Sequence, residues 1–142
     1  SLSIEAIKDS KQGSISINKI DQESIDSSIE LLMSNVKSSQ PDEAHDISEI
    51  QDSEVFNKGS LKPDLNLMYD KLDEFNNYVK DKHQKIILEA AILDHTSNTS
   101  HIMNTNGVDF QINKGAYNFS PMFTAKDGEK TSSFNYTYFS VN

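Results

Sequence analysis

Between Asn104 and Asn142 the chain reads NTNGVDFQINKGAYNFSPMFTAKDGEKTSSFNYTYFSVN, with β-branched and aromatic residues alternating with polar ones. A period of two sends successive side chains to opposite faces of a sheet, so this third of the chain is built to pair strands. Asn106-Gly107, Lys114-Gly115 and Asp127-Gly128 interrupt the run where a tight turn with φ > 0 is comfortable. The pattern predicts an antiparallel meander with strands over 108–113, 116–126 and 131–141.

The residues upstream supply what such a meander needs to cover it. Leu2, Ile4 and Ala6 alternate with polar residues, and the alternation resumes at Ile15 and Ile17, which predicts a β-hairpin over 1–17. Asp21 is placed to cap a helix over 21–37 whose apolar residues Ile25, Ile29, Leu32, Met33 and Val36 draw one stripe. A second helix over 64–82 opens at Pro63-Asp64 and carries Leu65, Met68, Leu72, Phe75 and Val79 on one face. Between the helices, residues 38–60 are rich in Ser, Asp, Glu, Gln and Asn and read as a long polar connector. Ile86–Leu93 is a short apolar run, read as a strand covered on one side by helix, with a further strand at Thr99–Met103. The sum is an α+β fold in which two amphipathic helices pack on one face of an antiparallel-rich, or mixed, β-sheet, with 85–142 as the β-meander. One domain over 1–142 is the expectation from length. The chain has no initiator Met and enters a strand-like pattern at Leu2, so it is read as a fragment of the N-terminal region of a longer protein.

Charge removes two classes of partner. The 13 basic residues are all Lys and face 22 acidic ones, for a formal net charge of −9. Nucleic acid is normally gripped by clustered cations, with Arg reading guanine, and this chain has no Arg. Anionic membrane surfaces are disfavoured by the same charge, and no apolar run approaches the roughly 20 residues needed to span a bilayer. With no Cys there is neither a disulfide framework nor a thiolate metal site, which fits a reducing cytoplasm, the expected compartment. The triplets Asn-x-Ser/Thr at Asn98, Asn118 and Asn135 are what chance gives in a chain this rich in Asn and Ser.

The candidates for chemistry are sparse. His95 and His101 bracket an expected turn and would face one another across a hairpin, but zinc wants three or four ligands and no third converges. His83 falls near a helix C-terminus, where it acts as a solvated cap, and His45 sits alone in the connector. Asp42, Glu43, Asp46 and Glu49 form an acidic cluster without the calcium-loop spacing or its Gly, and read as a solvated charge run. Asp127 and Glu129 flank Gly128 as the shoulders of a turn. Tyr117, Phe119 and Phe123 share one parity and Phe134, Tyr136 and Tyr138 another, each set marking one sheet face that is either core or an aromatic platform for a peptide or a second domain.

The order of local signatures carries a resemblance. Gly13-Ser14-Ile15-Ser16 ends the hairpin, and a Ser-Gln-Pro-Asp-Glu segment at Ser39–Glu43 follows the first helix. Lys62-Pro63-Asp64 opens the second, Asn104-Thr-Asn-Gly107 and Ala125-Lys-Asp-Gly-Glu129 punctuate the strands, and Tyr117 and Ser120 lie between. In this order they resemble the N-terminal region of the TldD/PmbA family, metalloproteases also labelled modulators of DNA gyrase, over nearly the whole chain. The resemblance implies that the match begins inside the family's N-terminal sheet. It also implies that the zinc site lies downstream, on a His-Glu-x-x-x-His helix that this sequence does not contain. No catalytic residue, metal ligand or cofactor is therefore expected within 1–142, and no substrate-binding residue is identified. The implied role is to wall the cavity above the metal and contribute to a homo- or heterodimer of the parent, whose substrates are unfolded peptides. The alternative is a stand-alone protein- or peptide-binding module that uses the aromatic strand face or the acidic connector.

Overall fold

A computed structural model describes residues 1–142. Its elements run β1 (Leu2–Lys8), β2 (Lys11–Ile17), α1 (Gln22–Ser38), β3 (Glu54–Lys58), α2 (Leu65–Lys82), β4 (Ile86–Met103), β5 (Asp109–Asp127), β6 (Lys130–Thr131), β7 (Asn135–Tyr136) and β8 (Phe139–Val141). The α+β class and the antiparallel-dominated, mixed pairing follow the expectation. Each helix has its own sheet. The chain divides into two compact units, Ser1–Gln51 with Asn104–Val108, and Asp52–Met103 with Asp109–Asn142.

In the first unit, β1 and β2 pair from Leu2↔Ile17 to Lys8↔Lys11, so the strands run on through the polar stretch between them. Asp9 and Ser10 close the hairpin at φ 53° and 59°, the doubly positive geometry that matches the twist of the strands. Helix α1 lies on this hairpin. Gly13 lets it approach, since a Cβ there would stand 2.7 Å from Val36 N and 2.8 Å from Val36 Cγ2. The buried row on α1 is Ser28, Leu32 and Val36, spaced by four, so the expected stripe is turned by one position and Ile29 is exposed. The Ser28 hydroxyl donates to Ser24 O at 2.6 Å, which lets a polar residue occupy the contact row without an unpaired group. Asp21 caps the helix by accepting the Ser24 N–H at 3.1 Å. Beyond the helix, Asp42 N donates to Ser10 O at 2.7 Å and returns the chain to the hairpin turn.

Also in this unit, the Asn104–Val108 turn is organised by one side chain. Asn104 Oδ1 accepts the N–H of Asn106 and of Val108, both at 3.0 Å, while Asn104 Nδ2 donates to Ser48 O at 2.8 Å. Gly107 takes φ 100°, as its place in the sequence suggests.

The second unit is built around β5. Antiparallel β4 lines one of its edges from Met103↔Asp109 to Ile86↔Ala125, with a bulge between Leu88 and Ala90. Parallel β3 pairs with its first half, and β7 and β8 with the second. Three expectations change here.

Residues 54–58 form β3 instead of continuing the polar connector. Pairing along β5 gives Phe56 an edge-to-face contact with Phe110 at 5.5 Å and brings Asn57 Oδ1 to 2.9 Å from Asn113 Nδ2. The separate strands expected on either side of 94–98 are one 18-residue strand, and those on either side of Lys114-Gly115 are one of 19 residues. Polar residues 96–100 stay extended because they pair with β5, with Thr99 Oγ1 donating to Asn113 Oδ1 at 2.9 Å. Gly115 is no turn residue. It is the point where the backbone of Ser60 presses against the strand, and a Cβ there would overlap Ser60 O.

The expected strand over 131–141 is broken into β6, β7 and β8. Pro121 O accepts the Thr137 N–H at 3.3 Å, so the same side of Pro121, which has no N–H to give, faces the gap between β7 and β8. Helix α2 opens on Asp64, whose carboxylate accepts the Leu67 N–H at 3.0 Å, and packs against β4. Phe75 meets Phe119 edge-to-face at 4.8 Å and Val79 is buried, whereas Leu65, at the start of the predicted stripe, is exposed.

Two measurements test this account of the first unit. Leu32 is 3% exposed, and Leu32→Ala should cost about 2–5 kcal/mol of unfolding free energy in urea; a change under about 1 kcal/mol would place the core elsewhere. The Ser24 backbone N–H, and then the Ser24 hydroxyl, pull Asp21 below its ordinary value of 3.8. A depressed carboxylate stabilises the fold above the unfolded value, and that contribution disappears as pH falls through the folded one. The helical signal should therefore depend less steeply on pH in Asp21→Asn than in the parent between about pH 5 and 2. Superimposable profiles would rule out a charged cap.

Candidate functional site

On the α2 side of the second unit, Tyr117 of β5 lies opposite His95 of β4, their rings 4.9 Å apart at 62°. Both side chains hold the segment that leads into the helix. The Tyr117 hydroxyl accepts the Asp64 N–H at 2.9 Å, and His95 Nε2 lies 2.7 Å from Ser60 O. A carbonyl can only accept, so this contact puts the proton on Nε2. Helix α2 is thus fixed at its first turn by Tyr117 and further along by Phe75 against Phe119.

Between those two anchors remains a cavity of about 220 Å³, lined by Leu67, Met68, Lys71 and Leu72 of α2, Leu93 of β4, and Tyr117 and Phe119 of β5. Its surface is almost wholly carbon. The Lys71 ammonium is 2.7 Å from Glu74, and that hydrogen bond, with the charge of Glu74, raises it above its ordinary value. The arrangement accepts an apolar group and offers few polar atoms to orient it.

The opposite face of the same strands carries a polar node that the sequence did not single out. Asn118 is 6% exposed. Its Nδ2 donates to Asp94 Oδ1 at 2.8 Å, and its Oδ1 accepts the Tyr138 hydroxyl at 2.8 Å and the Ser140 hydroxyl at 2.9 Å. One amide therefore joins β4, β5 and β8. Asn118 belongs to one of the chance Asn-x-Ser/Thr triplets, and its amide nitrogen is already engaged inside the sheet.

The residues weighed from sequence are dispersed. His95 and His101 are six residues apart on the single strand β4, opposite Tyr117 and Gln111, roughly 20 Å from one another at strand rise. They do not face across a hairpin, because the turn between them does not exist. His83 is the C-cap of α2, its N–H donating to Val79 O at 2.9 Å. His45 N donates to Asp42 O at 3.1 Å. In the acidic cluster, Asp42 Oδ1 accepts Ala44 N and Asp46 Oδ1 accepts Ile47 N. Asp127 pairs with Lys85 at 2.7 Å beside Gly128, whose φ is 62°. No three His, Asp or Glu side chains converge.

Tyr117 and Phe119 line the cavity on the α2 face, and Phe123 shares their face by strand parity. β7 and β8 pair with β5 in one register, so Tyr136, opposite Met122, and Tyr138, bonded to Asn118, share the Asn118 face across the break, and Phe134, Tyr136 and Tyr138 are 56%, 69% and 62% exposed. They are not core.

No protein-family model matches the chain, and no curated protein matches it. Among solved structures, the chain is similar to TldE from Thermococcus kodakarensis, a member of the TldD/PmbA family, with a TM-score of 0.64 and 17% identity. The match covers 96% of this chain and 32% of that one. At this identity the likeness is one of fold. No helix is long and apolar enough to cross a membrane.

Asn118→Leu keeps the volume and removes every one of these bonds. It should cost on the order of 1–3 kcal/mol and speed amide exchange at Phe139–Val141 ahead of the rest of the sheet. Unchanged exchange in β8 would show that the node does not hold that strand.

Proposed function

We propose that this chain is the non-catalytic N-terminal region of a TldD/PmbA-type zinc metalloprotease acting on unfolded peptides. In this reading it helps wall the peptide-holding cavity and contributes to dimer contacts of the parent, in the cytoplasm. The observation that carries the reading is the fold likeness to TldE over 96% of the chain. The ordered turn signatures of the sequence support it independently.

Surface area supports a region that is normally covered. The chain exposes 10845 Å². Two separate compact units of these sizes would expose together roughly 8,900 Å². The excess, roughly 1,900 Å², is more than the roughly 800 Å² that one partner gives up in a standard-sized interface. The residues present do not fit a zinc site, since no three ligands converge, so no step of peptide hydrolysis is assigned to them. Their part is steric and orienting.

The second reading is a stand-alone binding module, favoured by the exposed aromatic residues Tyr136, Tyr138 and Phe139 at the C-terminal end. Two experiments separate the readings. Under the first, the purified chain holds no stoichiometric zinc and cleaves no peptide, and the encoding gene continues past Asn142 into a His-Glu-x-x-x-His segment. Zinc bound at one equivalent, or hydrolysis that survives repurification, would overturn the non-catalytic assignment. A stop codon directly after Asn142 would favour the module.

A further inference from the structure

We infer that the cavity under α2 is a receptor for an aromatic side chain presented by a neutral peptide segment. The inference stands on the cavity and not on the family reading. A dry cavity of about 150 Å³ is enough to hold benzene, so about 220 Å³ takes one six-membered ring and its link to a backbone. The lining selects a ring over an aliphatic chain. Tyr117 and Phe119 offer aromatic surfaces for offset or edge contacts, and Met68 a thioether for a sulfur–ring contact.

Charge selects a neutral occupant. Lys71, the one cation of the lining, is already paired with Glu74. Asp70 and Asp73 lie on the same helix, and the chain carries −9 overall. An anionic ligand would meet acidic surroundings and no free cation. Besides Lys71, the polar hydrogen-bonding group among the lining side chains is the Tyr117 hydroxyl. It accepts the Asp64 N–H, which leaves its own proton for an acceptor such as a peptide carbonyl.

The test titrates the 142-residue chain, methyl-labelled at Leu and Met, with N-acetyl-phenylalaninamide. Saturable shifts are expected at Met68, Leu67, Leu72 and Leu93, with Kd on the order of 1 mM for so small a ligand. N-acetyl-alaninamide should give none, and 3-phenylpropionate should bind at least about fivefold more weakly if charge excludes anions. Leu67→Trp changes an exposed position (46%) and fills the cavity, and should weaken binding about tenfold or more. Tyr117→Phe keeps the ring but removes both the proton and the oxygen that accepts the Asp64 N–H, and should weaken it a few-fold. Absence of saturable shifts at these methyls, equal binding of the alanine amide, tighter binding of phenylpropionate, or unchanged affinity in Leu67→Trp would each overturn the assignment.

Discussion

Every strand of the second unit pairs with β5: β3 in parallel, and β4, β6, β7 and β8 antiparallel. The unit is therefore as continuous as that strand's 19 residues, Asp109–Asp127, and two of them, Gly115 and Pro121, are residues that usually interrupt strands. Gly115 stays extended because the missing side chain is used, with Ser60 backbone filling the space. Pro121 directs its defect to one side only. Opposite Ala91 the ladder with β4 runs on, while on the other side the C-terminal segment is divided into β7 and β8.

That arrangement also explains why α2 is held at points and not along its length. The entry to the helix is bound by Tyr117 and His95, two facing residues on paired strands, and its later turns by Phe75 and Val79. Leu67, Met68 and Leu72 fall between the anchors and bridge a gap that they do not fill. In the first unit the opposite solution appears. Gly13 removes a side chain, Val36 moves in against the strand, and helix and hairpin meet directly. A large side chain on the sheet keeps one helix away, and its absence draws the other close.

What the sequence disclosed was local. Both helices and the Asp21 cap were legible, because a cap needs only the side chain and the N–H three residues on. The turns at Gly107 and Gly128 were legible because positive φ is a property of the residue. Strand β3, the length of β4 and the continuity through Lys114-Gly115 were not. Glu54–Lys58 and Thr96–Ser100 are too polar to announce a strand, and they become one by pairing with residues far away in sequence. Lys-Gly looks the same whether the glycine supplies a positive φ or room for a neighbour. The Asn118 node was hidden for a related reason, since nothing in an Asn-x-Ser triplet shows that Tyr138 and Asp94 will arrive at the same amide.

Tyr117 and Asn118 show how closely the site depends on pairing register. They are neighbours in sequence, and period two sends one to the helix face and the other to the opposite face. Tyr117 holds the entry to α2 and lines the cavity. Asn118 joins β8 to β4. A slip of β5 by one residue against β4 would exchange the two, placing an amide beneath the helix and a phenol over Asp94. The single-residue bulge between Leu88 and Ala90 lies before this pair along β4, so the positions opposite Tyr117 and Asn118 are set after the irregularity has been absorbed. The chain can carry one bulge and keep both nodes because the pairing from Ala90↔Met122 to Met103↔Asp109 continues without another. The register of that uninterrupted stretch fixes which side chains the cavity and the polar node contain.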